Sequence, residues 1–438
     1  MDATGNEALL QYLWEYRLID YSRCFDTDGR PITVIDPGLR NNDSGPDFFN
    51  AKIRLDGRIW AGNIEIHNRA SDWHAHGHDS DPAYHTVILH VVAVNDCTIT
   101  RPDGTPVPQM ILPFAPDFHD RYKQMVYTHA CDPACANDFS QIPSLLVTEW
   151  MTALGFDRLY AKSERVLDEF RQTYDWRTTA YITLARALGF GTNSQPMEQL
   201  ARITPLDVLM RHRDDPDMVE AALLGQAGLL ETEVAPDDSS EAEYYMRLQS
   251  NYRYLQRAYD LPRDAAPQWK YSRMRPDNFP HRRIATLAAL MADGFYFGRH
   301  FHSIASIEQA RDVFKRIRLS AYWTEHSTLG RRTAALRQPV SRSSADVLII
   351  NALIPLIHAY GTSYNNDRLC DAAADMLQAL PPENNFITRM FGALGIKAPD
   401  AFTSQAMIEL RRSYCEPRKC IYCRFGRRIL TAKARPKI

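Results

Sequence analysis

Apolar and polar residues follow two different rhythms along this chain. From about Pro31 to Phe114 the rhythm is that of strands, with runs rich in Ile, Val and Trp broken by the turn pairs Asp56-Gly57 and Asp103-Gly104. Phe48–Leu55, Asp56-Gly57 and Arg58–His67 together predict a two-stranded hairpin with a tight turn. Val87–Val94 is a continuous apolar run interrupted by His90, the pattern of a central strand. Ahead of these, Leu9, Leu10, Leu13, Trp14 and Leu18 recur at helical spacing. After Pro143 the spacing becomes three and four residues and stays so. It predicts helices over Leu145–Arg171, Ala180–Leu188, Ser240–Tyr259, Arg283–Met291 and Ser344–Tyr360, separated by turns such as Asp214-Asp215-Pro216. No fixed repeat period is present, which argues against a regular solenoid.

These rhythms define an α+β protein: an N-terminal α/β module with a central mixed sheet over residues 1–115, a linker at 116–143, a large all-α region at 144–410 and a tail at 411–438. A length of 438 residues exceeds one compact core and suits two or three domains. With 45% apolar and 24% charged residues the chain is that of a folded protein, not a disordered one. The net charge of −2 supplies no global pull toward nucleic acid or membrane, so any basic surface is local. Residues 2–20 carry acids and read as an amphipathic helix instead of a secretory or transit signal. Val347–Tyr360, the longest apolar run, falls short of the roughly 18–20 residues of a membrane span. Eight cysteines are too sparse for a disulfide scaffold, and the expected home is a reducing cytoplasm, with no membrane partner.

Candidate chemistry concentrates on the hairpin. Gly45-Pro46-Asp47-Phe48 precedes its first strand, Gly62-Asn63-Ile64-Glu65-Ile66-His67 lies on its second, and Ser71-Asp72-Trp73, His76, His78, Tyr84 and His90 follow. Asn63, Glu65 and His67 share one strand face while Ile64 and Ile66 take the other. Burying such groups unpaired costs several kcal/mol by rough estimate, and a hard cation, Mg²⁺ or Mn²⁺, held by Asp47 and Glu65 would offset it. Strand parity sets a condition. With an unbroken two-residue turn, Ile66 stands opposite Asp47 and the two carboxylates fall on opposite faces. The metal reading therefore requires a bulge, expected at Gly62 in the second strand with His67 then opposite Asp47, or an Asp47 that bends inward from a loop. The structural alternative has Asp47 capping a turn and Glu65 paired with Arg54 or Arg69. His74, His76 and His78 form a polar loop able to bind a transition metal or simply to be solvated. His90 is expected to be a hydrogen-bonded core histidine, and Glu7, one helical turn before Gln11, a surface residue, the alternative being that it completes an acidic site.

Two further features bear on partners. Cys415, Cys420 and Cys423, spaced C-x4-C-x2-C among cations, suggest a thiolate zinc site whose fourth ligand is Cys370, Cys131 or Cys135, the alternative being ordinary thiols. From Arg411 the tail carries ten Lys or Arg against one acid, Arg427 and Arg428 among them. A second patch runs from Trp269 through Lys270, Arg273 and Arg275 to His281, Arg282 and Arg283. Interleaved aromatic and cationic residues suit a nucleic-acid strand, or else form a solvated face.

Over nearly its whole length the chain resembles the uncharacterised bacterial domain-of-unknown-function 2851 family. The motifs that carry this are Gly45-Pro46-Asp47-Phe48, Gly62 to His67, Ser71-Asp72-Trp73 with His76 and His78, Val87 to Val92, Leu224-Gly225-Gln226-Ala227-Gly228 and Trp269-Lys270 to Asn278-Phe279-Pro280. Asn351 with Pro355 and the terminal cysteines complete the set. That resemblance implies no activity. The hairpin alone, Pro46-Asp47 followed by Glu65-Ile66-His67, resembles the PD-(D/E)xK nucleases, which implies a restriction-endonuclease-like module and metal-dependent phosphodiester hydrolysis. His67 stands where that signature has lysine and lacks its permanent charge, which Lys52 on the preceding strand could supply. The function expected is thus a nuclease acting on DNA or RNA, with Asp47, Glu65 and His67 catalytic. An inactive nucleic-acid-binding relative and a metalloprotein that does not act on nucleic acid are the alternatives.

Overall fold

The computed structural model describes residues 7–19, 23–41, 43–113, 116–127, 132–231, 239–263, 265–272, 274–333 and 340–431. The chain forms two compact units, one of Met1–Leu146 with Ser413–Ile438 and the other of Val147–Arg412. The fold is α+β, its six-stranded sheet lying in the first unit.

In that unit α1 (Glu7–Glu15) comes first, and Leu9, Leu10, Leu13 and Trp14 are buried as their spacing predicts. Trp14 Nε1 donates to the Pro37 carbonyl at 2.9 Å, tying the helix to the chain that enters the sheet. The strands are β1 (Ile32–Asp36), β2 (Leu39–Arg40), β3 (Phe48–Leu55), β4 (Arg58–Arg69), β5 (Val87–Val94) and β6 (Gln109–Ile111). Their order is β1-β3-β4-β5-β6, with β2 also on β3. β3 and β4 are antiparallel, whereas β5 and β6 run parallel to β4, so the sheet is mixed. Ile64, Ile66, Leu89 and Val91 are fully buried on one face, as expected for central strands covered on both sides.

The hairpin begins regularly at its turn, where Leu55 pairs with Arg58 and Ala51 with Gly62. Beyond Ala51 the register slips, and Phe48 pairs with Ile64. The extra residue lies in the first strand, at Phe49-Asn50, and not at Gly62 in the second as strand parity led one to expect. Asn50 adopts φ of 55°, a left-handed conformation that asparagine tolerates better than most residues. Its N–H donates to Asn63 Oδ1 at 3.3 Å. Gly62 meets a different need, that of close packing. A Cβ there would lie 2.4 Å from Ile88 Cγ2 and 2.7 Å from the Thr86 carbonyl, so its bare backbone lets β5 start beside β4.

The second unit is almost wholly helical. Its helices include Ser144–Thr173 (from Val147 onward), Trp176–Leu188, Pro216–Gln226, Ser239–Ala258 and Pro280–Ala292. One short ladder, His326–Thr328 with Arg331–Arg332, interrupts the expected all-α pattern. The segment Arg342–Ser363 is long and apolar enough to cross a membrane by length and composition, and 78% of its most apolar window is buried inside the fold. It passes through a π-helical stretch at Ile349–Leu353 just before Pro355, where the missing N–H of proline disturbs the regular ladder.

Candidate metal centre

The bulge in β3 decides where the hairpin carboxylates go. With one extra residue in β3, Asp47 stands level with Glu65 instead of His67 or Ile66. Its backbone N–H donates to Glu65 Oε2 at 3.1 Å, and its Oδ2 accepts from the Ile66 N–H at 3.0 Å. Asp47 therefore bridges strands rather than capping a turn. Glu65 pairs with neither Arg54 nor Arg69; Arg69 lies 3.6 Å from Asp96 instead. Lys52 shares the face of Glu65 but stands opposite Ala61, four residues along β4, or about 13 Å at strand rise. It is exposed there and supplies no charge beside Glu65.

After β4 the chain turns back over this face, and the Ser71-Asp72-Trp73 motif builds the turn. Asp72 accepts from the Arg69 N–H at 2.9 Å, and Asp96 accepts from both the N–H and the hydroxyl of Ser71. The short helix α2 (Asp72–Ala75) buries Trp73, whose ring lies edge-on to His67, His78 and Tyr84. Gly77, at φ of 75°, reverses the chain, and the His78 N–H returns to the Trp73 carbonyl at 3.1 Å. His78 then stacks on Tyr84 with ring centroids 3.7 Å apart.

This turn delivers His76 and His78 to Glu65 and His67. Ligand atoms of His67, His76 and His78 all lie within 4.8 Å of one another. His76 Nδ1 is 3.2 Å from His67 Nε2, and Glu65 Oε1 is 3.3 Å from both His67 Nε2 and His78 Nε2. Ligands held about 2.0–2.1 Å from a zinc-sized ion stand about 3.3–3.4 Å apart at the corners of a tetrahedron. The His76–His67 separation is close to such an edge, and Glu65 lies beside the three imidazoles without joining the group whose ligand atoms all fall within 4.8 Å. His67 is 1% exposed and Glu65 5%, while His76 is exposed and opens the cluster to solvent. His74 takes no part, pairing with Asp79 at 2.7 Å.

Behind the cluster, His67 Nδ1 lies 2.9 Å from His90 Nε2. His90 is fully buried, as expected of a core histidine. Burial, and next the neighbouring His67, push its pKa down to about 3, so it is neutral and fixes the His67 ring. In front, Gln11 Nε2 donates to Asp47 Oδ1 at 2.8 Å and to Glu7 Oε1 at 3.4 Å. Glu7 is not the surface residue its position suggested. Burial raises its pKa most, and His67, Glu65 and His76 are the charged groups it feels next. Burial and then Glu65 push Asp47 up to about 7. For Glu65 burial acts upward too, but hydrogen bonds from His67 and His78 outweigh it and hold its carboxyl below the usual range. Asp47 is thus the member of the pair that keeps a proton near neutrality.

Gln11 also reaches the other way: its Oε1 accepts from Arg40 Nη2 at 3.0 Å. Arg40 lines a cleft of about 600 Å³ with Glu15, Ser413, Tyr414, Lys419 and Tyr422, so one glutamine joins Asp47 to a cleft carrying two cations.

The remaining predicted residues scatter. Arg427 and Arg428 are exposed on the helix Arg424–Thr431, Arg427 lying 4.4 Å over the Tyr16 ring. Lys270 and Arg275 are exposed in the second unit, and Arg273 lies outside the described residues. The rest of that patch is not a surface. His281, Arg282 and Arg283 are 8%, 3% and 6% exposed, and Arg282 Nη1 donates to the Trp323 carbonyl at 2.5 Å. Trp269 is half-buried and donates to the Ala227 carbonyl at 2.9 Å. Cys370 belongs to the second unit, its sulfur 3.7 Å from the His358 carbonyl, and Cys131 lies outside the described residues.

Fold and site together describe an α+β protein with a three-histidine, one-glutamate cluster on a mixed sheet. The chain belongs to the family described as protein of unknown function (DUF2851), whose model matches residues 7–386. The match spans the hairpin and the histidine loop and stops before the tail cysteines. No curated protein and no solved structure matches the chain.

Proposed function

We propose that this protein is a metal-dependent hydrolase of phosphodiesters, a nuclease in the broad sense, with one divalent ion on His67, His76 and His78 and Glu65 beside it. The observation that carries this reading is the convergence of His67, His76 and His78, whose ligand atoms all lie within 4.8 Å of one another, with Glu65 Oε1 3.3 Å from both His67 Nε2 and His78 Nε2. Three imidazoles suit Zn²⁺, Mn²⁺ or Fe²⁺ better than Mg²⁺, which prefers oxygen ligands and water, and three protein ligands leave a position open on the ion. The ion would polarise a phosphoryl oxygen and lower the pKa of a bound water. Asp47, protonated near neutrality and held on Glu65, is the group suited to move a proton beside it. Arg40 and Lys419 in the adjoining cleft suit the flanking phosphates, and Arg427 and Arg428 extend that charge within the same unit.

The test is direct. Full-length protein stripped with chelator and reloaded with Zn²⁺, Mn²⁺ or Mg²⁺ is incubated with single- and double-stranded DNA and RNA. Cleavage with Mn²⁺ or Zn²⁺, lost in Glu65→Gln and His76→Ala while the circular dichroism spectrum is unchanged, is the expected result. No cleavage of any substrate with any of the metals overturns it. The same imidazole-rich donor set favours one second reading, a metalloprotein that does not act on nucleic acid. Stoichiometric metal binding lost in His76→Ala, without cleavage or nucleic-acid affinity, selects that reading.

A further inference from the structure

The cleft joined to Asp47 through Gln11 offers more than charge. Its walls are Glu15, Arg40, Ser413, Tyr414, Lys419 and Tyr422, all of the first unit. α1 supplies Glu15, β2 supplies Arg40 and the tail supplies the other four. The tail is wound to present them: Arg418 takes φ of 56°, the Lys419 N–H returns to the Tyr414 carbonyl at 2.8 Å and the Tyr422 N–H to the Lys419 carbonyl at 3.1 Å. Behind this wall Cys415, Cys420 and Cys423 meet Cys135 around a cavity of about 20 Å³ that Tyr414 also lines, and Phe425 packs edge-on against Phe139 at 5.3 Å. Two aromatic–cation pairs stand side by side here. Arg40 lies 5.3 Å from the centre of the Tyr422 ring, and Arg427 4.4 Å from that of Tyr16. Buried Tyr12 joins them, with ring centroids 4.7 Å from Tyr16 and 6.0 Å from Tyr422. Packing alone accounts for Tyr12. It does not account for an exposed Tyr16, an exposed Lys419 and a half-buried Tyr422 around open space.

We infer that this cleft takes one nucleotide of a single strand, its base stacked on Tyr422 and its phosphate on Lys419 and Arg40, so that the substrate is single-stranded nucleic acid. The class of ligand, a phosphodiester chain, rests on the hydrolase proposed above; the strandedness rests on the cleft. Its volume of about 600 Å³ falls within the roughly 300–1,000 Å³ of sites that enclose one small molecule, room for a nucleotide but not for a duplex. Its charge fits too. Two cations stand against one carboxylate, and Glu15 and Gln11 hold the Arg40 guanidinium in place at 3.1 and 3.0 Å. The aromatic walls decide between strands. A duplex keeps its bases paired and stacked inside, and would show the cleft phosphates alone. A single strand can lay a base on a tyrosine ring while cations follow its backbone. Tyr16 with Arg427 repeats the combination beside Tyr422, a second station for the next nucleotide.

The experiment is equilibrium binding of the full-length protein, in chelator so that nothing is cut, to fluorescent oligonucleotides. These are single-stranded and duplex DNA and RNA of one sequence, and a DNA strand of abasic sites that keeps its phosphates and lacks bases. Single-stranded DNA or RNA should bind at least fivefold more tightly than its duplex, and the DNA strand at least fivefold more tightly than the abasic one. Tyr422→Leu should lose that advantage without weakening the abasic strand, and Tyr422→Phe should keep it. Lys419→Ala should flatten the slope of log affinity against log salt by about 0.7. Duplex or abasic strand bound as tightly as the single strand overturns the inference, as does no binding at all, or a Tyr422→Leu variant that weakens the abasic strand equally. If the leucine variant does not fold, the wild-type affinities decide. Cleavage by the metal-loaded protein separates the two proposals. Cleavage without single-strand preference overturns this inference alone, whereas single-strand preference without cleavage supports it and overturns the hydrolase.

Discussion

Replacing Asp47 by asparagine should make the metal-free protein more stable at pH 8, although it removes a residue from the proposed active site. The folded structure raises the Asp47 pKa from 3.8 to about 7, chiefly by burial and then by the Glu65 charge. Below about pH 4 the carboxyl is protonated in both folded and unfolded chains and costs nothing. Between about 4 and 7 the unfolded chain ionises while the folded one holds its proton, so stability falls as pH rises. Above about 7 the loss is constant, and a shift of this size corresponds to about 4 kcal/mol at most. Asparagine removes that penalty but turns an N–H₂ toward Gln11 Nε2, which loses about 1 kcal/mol. The net gain should be about 1–3 kcal/mol, or a melting temperature higher by roughly 2–4 °C per kcal/mol for a domain of this size. Thermal unfolding of both proteins in chelator at pH 5 and pH 8 measures it. The gain should shrink toward pH 5, and saturating Mn²⁺ or Zn²⁺ should reverse the order because the ion stabilises the charged wild-type site more. A variant no more stable than wild type at pH 8 in chelator, or a difference independent of pH, would refute the account of the carboxylate pair.

Asn50→Val should destabilise by about 1–2 kcal/mol, since a β-branched residue resists the left-handed backbone of the bulge, and should weaken metal binding by moving Asp47 off Glu65; Asn50→Gly should preserve both, as read by melting and by isothermal titration with Zn²⁺. Trp73→Ala should cost about 3–5 kcal/mol as a buried aromatic truncation, and should reduce metal affinity at least tenfold by freeing the loop that carries His76 and His78. Gly62→Ala should destabilise by about 1–3 kcal/mol, because its Cβ runs into Ile88 and the Thr86 carbonyl. If the protein binds nucleic acid through the first unit, Arg427→Ala with Arg428→Ala should lower the salt dependence of binding by up to about two phosphate contacts, and Lys270→Ala with Arg275→Ala should leave it unchanged, in filter-binding titrations across salt.

The elements themselves were legible in the sequence because strand and helix periods are read locally. The strand Val87–Val94 and the hairpin about Asp56-Gly57 stand where the patterns put them, and the helix predicted over Leu145–Arg171 runs over Ser144–Thr173. The bulge left a trace that two adjacent aromatics concealed. Leu55, Ile53 and Ala51 alternate toward the core, and the next core residue is Phe48, one position late, but Phe49 occupies the regular position and hides the slip. The convergence of His76 and His78 on Glu65 was not legible, because it depends on a turn whose hydrogen bonds come from Asp72 and from Asp96, far along the chain. The same holds for Glu7, which reaches the site only because α1 packs on β4. Arg282 and Arg283 misled in the opposite direction. Cationic residues beside aromatics resemble a nucleic-acid surface, yet these two are buried, Arg282 donating to the Trp323 carbonyl and Arg283 to Asn278.

The division of the chain has a consequence for how the protein comes into being. The first unit takes its sheet from residues before Leu146 and its last helix from residues after Ser413, so the helical unit is an insertion within it. On the ribosome the sheet is made first but must wait for the whole insertion, on the order of tens of seconds at ordinary elongation rates, before its closing segment emerges. Until then Tyr16 and Arg40 lack Arg427 and Tyr422, the aromatic and cationic partners they stack with in the finished unit. A nascent or prematurely terminated chain would carry the histidine cluster without its completed cleft. The segment after Ser413 therefore completes that cleft only once the whole helical unit has been made.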